Sequence, residues 1–487
     1  MTNLFSKINL FQLILISGLA GIALSILTGN LILSIAIISL PLLFVMSIQI
    51  LKYPILILYT IFTLNYFILG VGRYVELNGV SFLMDILMAI ALILIITHTA
   101  LSKNVDWKPA NNILTAGTAI WMLYCLAEIA NPSGMVNAWV LSRGLVINGF
   151  IITVLTSVYC ARYKSVKTLL FLLSIFSLMA VLKCFQQKYI GFDYAESKWL
   201  RNGGALTHLI GTGTRYFSFF TDAGNFGSNM GAAGVIFGIV AISSQRSTTK
   251  IYYSIVAICS LYAMLLSGTR GAMIVPLGGL ALYTIISKNV KSMVIGSITL
   301  MLIYIFFAFT MIGQGNAQIR RMRTAFRPSE DASFNVRKEN QKVLADHLKD
   351  KPFGEGLGLS GVENQKTSIR LTTLIPHDSW YVKIWVETGV VGIILYLGML
   401  YIAIARGAYI LMFKIRDQEL KGILTGLLCG ITGLLLSAYG NAFWGQYPTH
   451  IIAFMGLSLV LKGEYFDKEL VVAQPEQTIK QVVIQNK

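Results

Sequence analysis

Three side chains in the second half of the sequence are candidates for polar chemistry: Arg270, Arg337 and His377. A guanidinium group can bind a phosphate through two parallel hydrogen bonds. A histidine can act as a general base, because its pKa lies near neutrality and responds to its surroundings. Together these residue types suit the binding of an anion beside a site of proton transfer.

Arg270 lies in the run Ser267-Gly-Thr-Arg-Gly-Ala272, where one apolar span ends and the next begins. Gly268 and Gly271 allow the backbone to turn sharply at this junction. The arginine is therefore expected at the membrane surface. There it either snorkels to the lipid headgroups or points inward and binds a phosphate.

Arg337 opens a predicted amphipathic helix, Phe334–Lys349. Its apolar residues recur near helical spacing: Val336, Val343, Leu344 and Leu348. Arg337 is either a solvated helix residue or, with the free N–H groups of the helix start, part of an anion site. The run Pro352-Phe-Gly-Glu-Gly-Leu-Gly358 is predicted to be a turn, since it lacks the strand–helix context of a nucleotide loop.

His377 stands between Pro376 and Asp378, just before aromatic residues of the type that lie at membrane interfaces. It is either a general base or an interfacial hydrogen-bonding residue. Arg215 precedes a second aromatic run, and it either binds a ligand or has a packing or headgroup role. The five cysteines and the remaining histidines show no metal-ligand spacing, so neither a metal nor another cofactor is predicted.

The elements that must position these residues are membrane spans. The chain has 487 residues, 55% of them hydrophobic and only 13% charged, whereas a soluble domain is about one-quarter charged. Apolar stretches of about 18 to 25 residues recur along it, and this length crosses a bilayer. The net charge of +17 is spread over short clusters between the spans, which is typical of the positive-inside rule and argues against nucleic acid.

The predicted fold is an all-α polytopic transmembrane helical bundle of about 12 to 14 spans, with one large extracytoplasmic loop containing amphipathic helices. We predict four regions: 1–313 with about eleven spans, the loop 314–384, C-terminal spans in 385–461, and a polar, partly disordered tail over 462–487. The first two spans are expected at about 10–28, as a retained signal anchor, and 31–50. Both termini are expected in the cytoplasm.

The order of these motifs resembles the superfamily of O-antigen ligases and polymerases, which are bacterial membrane enzymes. The matches are Ser267-Gly-Thr-Arg-Gly-Ala272, the Arg337 helix with its glycine-rich turn, Pro376-His-Asp-Ser-Trp380 leading into Glu387-Thr-Gly-Val-Val-Gly392, and Arg215-Tyr-Phe-Ser-Phe-Phe. Asp378 stands where the family more often has asparagine. It either orients His377 and raises its pKa, or the histidine site works differently here.

The resemblance implies a metal-independent, inverting glycosyltransferase of the bacterial inner membrane. The donor would be a glycan on undecaprenyl pyrophosphate, and the acceptor a hydroxyl of a glycan, of lipid A core or of a protein. Arg270 and Arg337 would bind the pyrophosphate and stabilise its charge as it leaves; His377 would orient or deprotonate the acceptor. Arg215 and Asp378 would contact substrate. Two alternatives stay open: a polymerase of the same superfamily, and a polysaccharide transporter or flippase.

Overall fold

The computed structural model describes residues 16, 18–21, 23–24, 45–75, 80–101, 105–211, 213–288, 290–315, 317–326 and 332–472. The helices within these residues are α1 Ile55–Val75, α2 Val80–Leu101, α3 Ile113–Ala127, α4 Val136–Leu141, α5 Arg143–Tyr159, α6 Tyr163–Tyr189, α7 Tyr194–Trp199, α8 Ala205–His208, α9 Ala223–Ser243, α10 Ser247–Leu266, α11 Ile274–Ile286, α12 Val290–Phe309, α13 Ala317–Arg323, α14 Ala332–His347, α15 Leu371–Leu374, α16 Trp380–Phe413, α17 Gln418–Ser437 and α18 Thr449–Leu461. A two-stranded antiparallel ribbon pairs β1 Leu209–Ile210 with β2 Gly213–Thr214.

Nine helical segments in the described part of the chain are long and apolar enough to cross a membrane. Three shorter apolar helices accompany them, at Arg270–Ile286, Met293–Phe309 and Thr449–Leu461. The predicted all-α polytopic fold is therefore confirmed. The predicted spans 10–28 and 31–50 fall largely outside the described residues, and the division into four regions and the sidedness of the termini stay predictions.

Helix α9 lies at the centre of the bundle, with most of its residues buried between α10 and α17. Small residues make this packing possible, as in other membrane helices whose backbones approach closely. A Cβ on Gly227 would lie 2.1 Å from Ser267 Oγ, and one on Gly234 would lie 2.5 Å from Leu261. Close approach brings the start of α9 against the Ser267–Ala272 junction.

The amphipathic helix of the large loop is present as α14, but its buried face differs from the predicted one. Leu344 and Leu348 are buried against Val382 and Val386 of α16. Val336 is 58% exposed, because α14 is buried only near its C-terminal end. The loop is thus joined to the membrane helices by an apolar cluster.

The start of the predicted polar tail packs against the helical bundle, and the expectation that the tail is partly disordered stays a prediction. Residues 463–472 are helical, and Phe466 is fully buried. The Lys462 ammonium donates to the Ser157 carbonyl at 2.6 Å, and the Asp467 carboxylate accepts from the backbone N–H of Arg416 at 3.0 Å. One buried aromatic ring and two backbone contacts order a segment whose composition is polar; residues 473–487 lie outside the described part.

Candidate active site

Four arginines line a cavity of about 640 Å³ beside the start of α9. They come from four separate segments: Arg215, Arg270, Arg321 and Arg337. Two carboxylates, Asp222 and Asp378, share the same wall. Guanidinium groups therefore outnumber carboxylates two to one, and the cavity attracts anions.

Arg215 is held in place by its own contacts. Its guanidinium donates to the Thr207 carbonyl at 2.9 Å and to Thr269 Oγ1 at 3.0 Å. Thr269 Oγ1 in turn donates to the Ala223 carbonyl at 2.8 Å. Burial lowers the pKa of Arg215, and Asp222 opposes this. These bonds join the segment that carries Arg215, the Thr269-Arg270 junction and the start of α9 beside the cavity.

Arg270 begins a 3-10 turn, Arg270–Met273, that leads into α11. Its Nη1 lies 3.3 Å from Thr324 Oγ1, and Gly268 before it has φ +59°, a conformation that favours glycine. The predicted turn at the span junction is therefore present. The Arg270 side chain lines the cavity, and the choice between its two interpretations stays a prediction.

Arg321 lies on the same wall, and sequence reasoning missed it. Helix α13 carries three arginines close together. Arg320 donates to the Gln314 carbonyl and Arg323 to the Ile312 carbonyl, whereas Arg321 faces the cavity. The cluster of arginines was the available signal, but the helical register decides which of them faces inward.

Arg337 and Asp378 both line the cavity and form an ion pair there, with Arg337 Nε 3.5 Å from Asp378 Oδ2. Asp378 has φ +48°, an uncommon conformation for a residue with a side chain. Asp378, which follows His377 in the sequence, thus directs its carboxylate toward Arg337.

His377 does not line the cavity; it adjoins Asp378 in the chain and is only 8% exposed. Its Nε2 is 3.6 Å from Glu363 Oε1, and its Nδ1 has no hydrogen-bond partner among the described residues. Burial, reinforced by the Lys383 ammonium, lowers the pKa of His377 to about 4, against the opposing carboxylates of Glu363 and Asp378. Asp378 does raise the pKa of His377, as one interpretation predicted, but desolvation of the imidazolium outweighs this nearby negative charge, so the net shift is downward.

Gly361 forms the surface against which the His377 ring packs. It has φ +78°, and a Cβ there would lie 2.3 Å from both Cε1 and Nδ1 of the ring. The backbone of Gly361 donates to the Thr372 carbonyl at 3.0 Å. This glycine is required both for its backbone conformation and for the space that the imidazole occupies.

The glycine-rich turn after α14 docks on a break in α16. Helix α16 is interrupted at Gly389, which has φ +66°. The turn replaces missing helical bonds: Glu355 N–H donates to the Val386 carbonyl at 2.8 Å, and Gly356 N–H to the Glu387 carbonyl at 3.1 Å. Glycine at the break is needed because a Cβ on Gly389 would lie 1.9 Å from the Pro352 carbonyl oxygen. The prediction of a turn is confirmed, and its partner is the Glu387–Gly392 motif.

Glu355, in the middle of that turn, is a buried carboxylate with three basic partners. Its oxygens lie 2.6 Å from Lys351 Nζ, 3.0 Å from His347 Nε2 and 2.9 Å from Arg370 Nη1. These groups hold the pKa of Glu355 below its usual value in spite of burial. The carboxylate thereby links α14, which carries Arg337, to the segment that leads to His377.

Apolar side chains also line the cavity: Met273, Ile274, Leu277 and Phe326. The cavity thus has both cationic and hydrocarbon lining within one space. An anion that carries an apolar chain matches both kinds of lining. Among the described residues, no three histidine, cysteine or acidic side chains are grouped as they would be to hold a metal ion.

Comparison with known proteins agrees with this geometry. Residues 255–397 match the family model described as O-antigen ligase. The matched segment includes Arg270, Arg321, Arg337 and His377, and Arg215 precedes it. None of the curated proteins matches the chain. Over residues 255–397 the chain is similar to the O-antigen ligase family, the resemblance that its sequence motifs indicated.

Proposed function

We propose that this protein transfers a glycan from undecaprenyl pyrophosphate to an acceptor hydroxyl, as a ligase acting at the extracytoplasmic face of the bacterial inner membrane. The observation that carries the proposal is one cavity lined both by four arginines and by apolar side chains. A pyrophosphate on a polyprenyl chain needs cations for its oxygens and hydrocarbon for its first isoprene units. The family match supports an enzyme that acts on lipid-linked glycan.

The arginines would act on the leaving group. In a single displacement, the acceptor oxygen bonds to the anomeric carbon while the bond from that carbon to the pyrophosphate oxygen breaks, which inverts the configuration. Negative charge then grows on the pyrophosphate. Arg270, Arg321 and Arg337 stabilise this charge, and Arg215 aligns the junction that carries Arg270. In this proposal, the counter-charge that a metal ion supplies in other transferases comes from guanidinium groups.

His377 would act on the acceptor. With its pKa lowered to about 4, the imidazole is neutral at pH 7 and can accept a hydrogen bond from the acceptor hydroxyl. A base with such a low pKa does not deprotonate a free alcohol to a useful extent. The imidazole accepts the proton only as the acceptor hydroxyl becomes acidic during bond formation, and the negative charge of the nearby pyrophosphate raises the basicity of the imidazole. Orientation of the acceptor is therefore its main contribution.

Transfer by the purified protein tests this proposal. The protein in lipid nanodiscs is given a labelled undecaprenyl-pyrophosphate glycan and, separately, lipid A core, a peptide acceptor or a second lipid-linked glycan. We expect Arg270→Ala and His377→Ala each to reduce the transfer rate about 100-fold or more. Arg201→Ala is the matched control, because Arg201 is exposed and does not line the cavity; it should keep full activity.

The products separate the alternatives. Transfer to lipid A core or to peptide supports a ligase, whereas a ladder of repeats made without either acceptor identifies a polymerase of the same superfamily. If both Arg270→Ala and His377→Ala transfer glycan at the wild-type rate, the cavity is not the site of transfer, and a transporter becomes the better description.

A further inference from the structure

A second polar cavity, of about 370 Å³, lies between α16, the residues that precede α3 and the helix over 463–472. Its charged and polar lining comprises Lys108, Asn111, Asn112, Arg406, Glu464 and Lys468. Apolar side chains from the membrane helices complete it, namely Ile113, Ile410 and Leu461. Neither the family match nor the proposed transfer reaction uses these residues.

This cavity lies at the other end of the bundle from the arginine cavity. Helix α16 begins at Trp380, two residues after Asp378, and Arg406 comes 26 residues later, about 40 Å along a helix. The loop before α18 lines the arginine cavity with Tyr439, while Leu461 at the far end of α18 lines the second cavity. The two cavities therefore open toward opposite membrane surfaces.

The cations of the second cavity exceed its acids. Arg406 lies 3.9 Å from Glu464 and is half exposed. Lys108 and Lys468 form no ion pair within the described residues. The other acids of the 463–472 helix accept bonds elsewhere: Asp467 from Arg416 N–H, and Glu469 from Tyr163 N–H. Two ammonium groups are therefore left to bind an anion.

Exposed aromatic residues place this cavity at the membrane–water interface. Trp107 is 40% exposed beside Lys108, Tyr465 is 42% exposed on the cavity wall, and Tyr409 is 42% exposed under the Arg406 guanidinium. Tryptophan and tyrosine prefer the level of the lipid headgroups. Ile113, 45% exposed, offers an apolar surface next to the cations.

We propose that this cavity binds the phosphodiester headgroup of an anionic phospholipid. Lys108 and Lys468 pair with the phosphate, Asn111 lies within reach of the headgroup, and the acyl chains run along the exposed apolar side of α3. Basic pockets between membrane helices bind anionic headgroups for this reason. A phospholipid satisfies the ammonium groups and the apolar surface together, whereas a free phosphate satisfies only the ammonium groups.

Native mass spectrometry of delipidated protein titrated with phosphatidylglycerol tests the proposal. Each lysine near a headgroup contributes about a fivefold factor in affinity, so Lys108→Gln with Lys468→Gln should weaken binding about 30-fold. The matched control is Lys164→Gln with Lys250→Gln, which removes the same charge from exposed lysines at the same end of the bundle. The control should bind as the wild type does, and so should Lys108→Arg with Lys468→Arg.

Three results would overturn the proposal. Equal loss in the cavity variant and in the Lys164 and Lys250 control would mean general attraction to a basic membrane face. Phosphatidylcholine bound as tightly as phosphatidylglycerol would mean that the headgroup charge is not recognised. Complete displacement of phosphatidylglycerol by inorganic phosphate would mean that the site takes a free anion. Glycan transfer is a separate measurement, so failure here leaves the proposed function untouched.

Discussion

Replacing Gly361 by alanine changes the position of His377 without removing any group that could react. Gly361 has φ +78° and ψ +153°, a region that is nearly exclusive to glycine. An added Cβ would lie 2.3 Å from two atoms of the His377 ring and 2.6 Å from Glu363 Oε2. The glutamate is exposed and can move away, whereas the buried ring must shift.

The size of the effect follows from these distances. Restoring an ordinary contact of 3.4 Å in place of 2.3 Å moves the imidazole by about 1 Å. A misplacement of about 1 Å in a reacting group costs roughly 100-fold in rate. The strained backbone adds a cost in stability of about 1–3 kcal/mol. Gly361→Ala should therefore fold less stably and lose about two orders of magnitude in kcat.

Gly191→Ala separates the two effects. Gly191 also has positive φ, +114°, and no atom lies within 4 Å of its would-be Cβ. It should show the backbone cost in thermal unfolding and keep its kcat for glycan transfer from the lipid-linked donor. If Gly361→Ala unfolds at a temperature similar to that of Gly191→Ala and still has the wild-type kcat, the position of His377 does not matter and its assigned role is wrong.

Three further measurements test other parts of the site. Arg321→Ala should raise the KM for the donor at least tenfold, because a hydrogen bond to a charged group contributes about 1.5–3 kcal/mol. Arg320 contacts the Gln314 carbonyl instead, so Arg320→Ala should leave this KM unchanged. Equal effects of the two substitutions would show that Arg321 does not bind the donor. Glu355→Ala leaves three basic groups without their buried carboxylate, so the free energy of unfolding should fall by about 3–5 kcal/mol. Glu339 is exposed, and Glu339→Ala should lower the free energy of unfolding by less than about 1 kcal/mol. A similarly small loss for Glu355→Ala would contradict the role of Glu355 as a link between the two segments. In the folded protein the pKa of His377 is lowered from 6.5 to about 4, so as the pH falls the unfolded chain binds a proton at this histidine before the folded protein does. The free energy of unfolding should therefore fall by up to about 1.4 kcal/mol per pH unit between pH 6.5 and about pH 4. His377→Gln should flatten this slope in thermal unfolding at several pH values, and an unchanged slope would show that another group titrates.

Local rules account for the parts of the site that could be predicted. Gly268 and Gly271 marked a turn at a span junction, and the structure has that turn at Arg270. The three glycines of 352–358 marked another, and all three have positive φ. Which face of α14 is buried could not be predicted, because Val336 and Leu344 share a spacing but only Leu344 meets α16.

The sequence by itself determined that this is an all-α membrane protein, that part of it resembles the O-antigen ligases, and which short runs carry its polar residues. Hydropathy, turn residues and motif order are properties of neighbours along the chain, so they can be read without a fold. Tertiary structure alone decided that Arg215, Arg270, Arg321 and Arg337 share one cavity, and that burial keeps His377 neutral. Both depend on packing between separate segments of the chain, from Arg215 to Arg337 around the cavity and from Gly361 to His377 at the histidine, where small differences in helix register and contact decide which side chains meet.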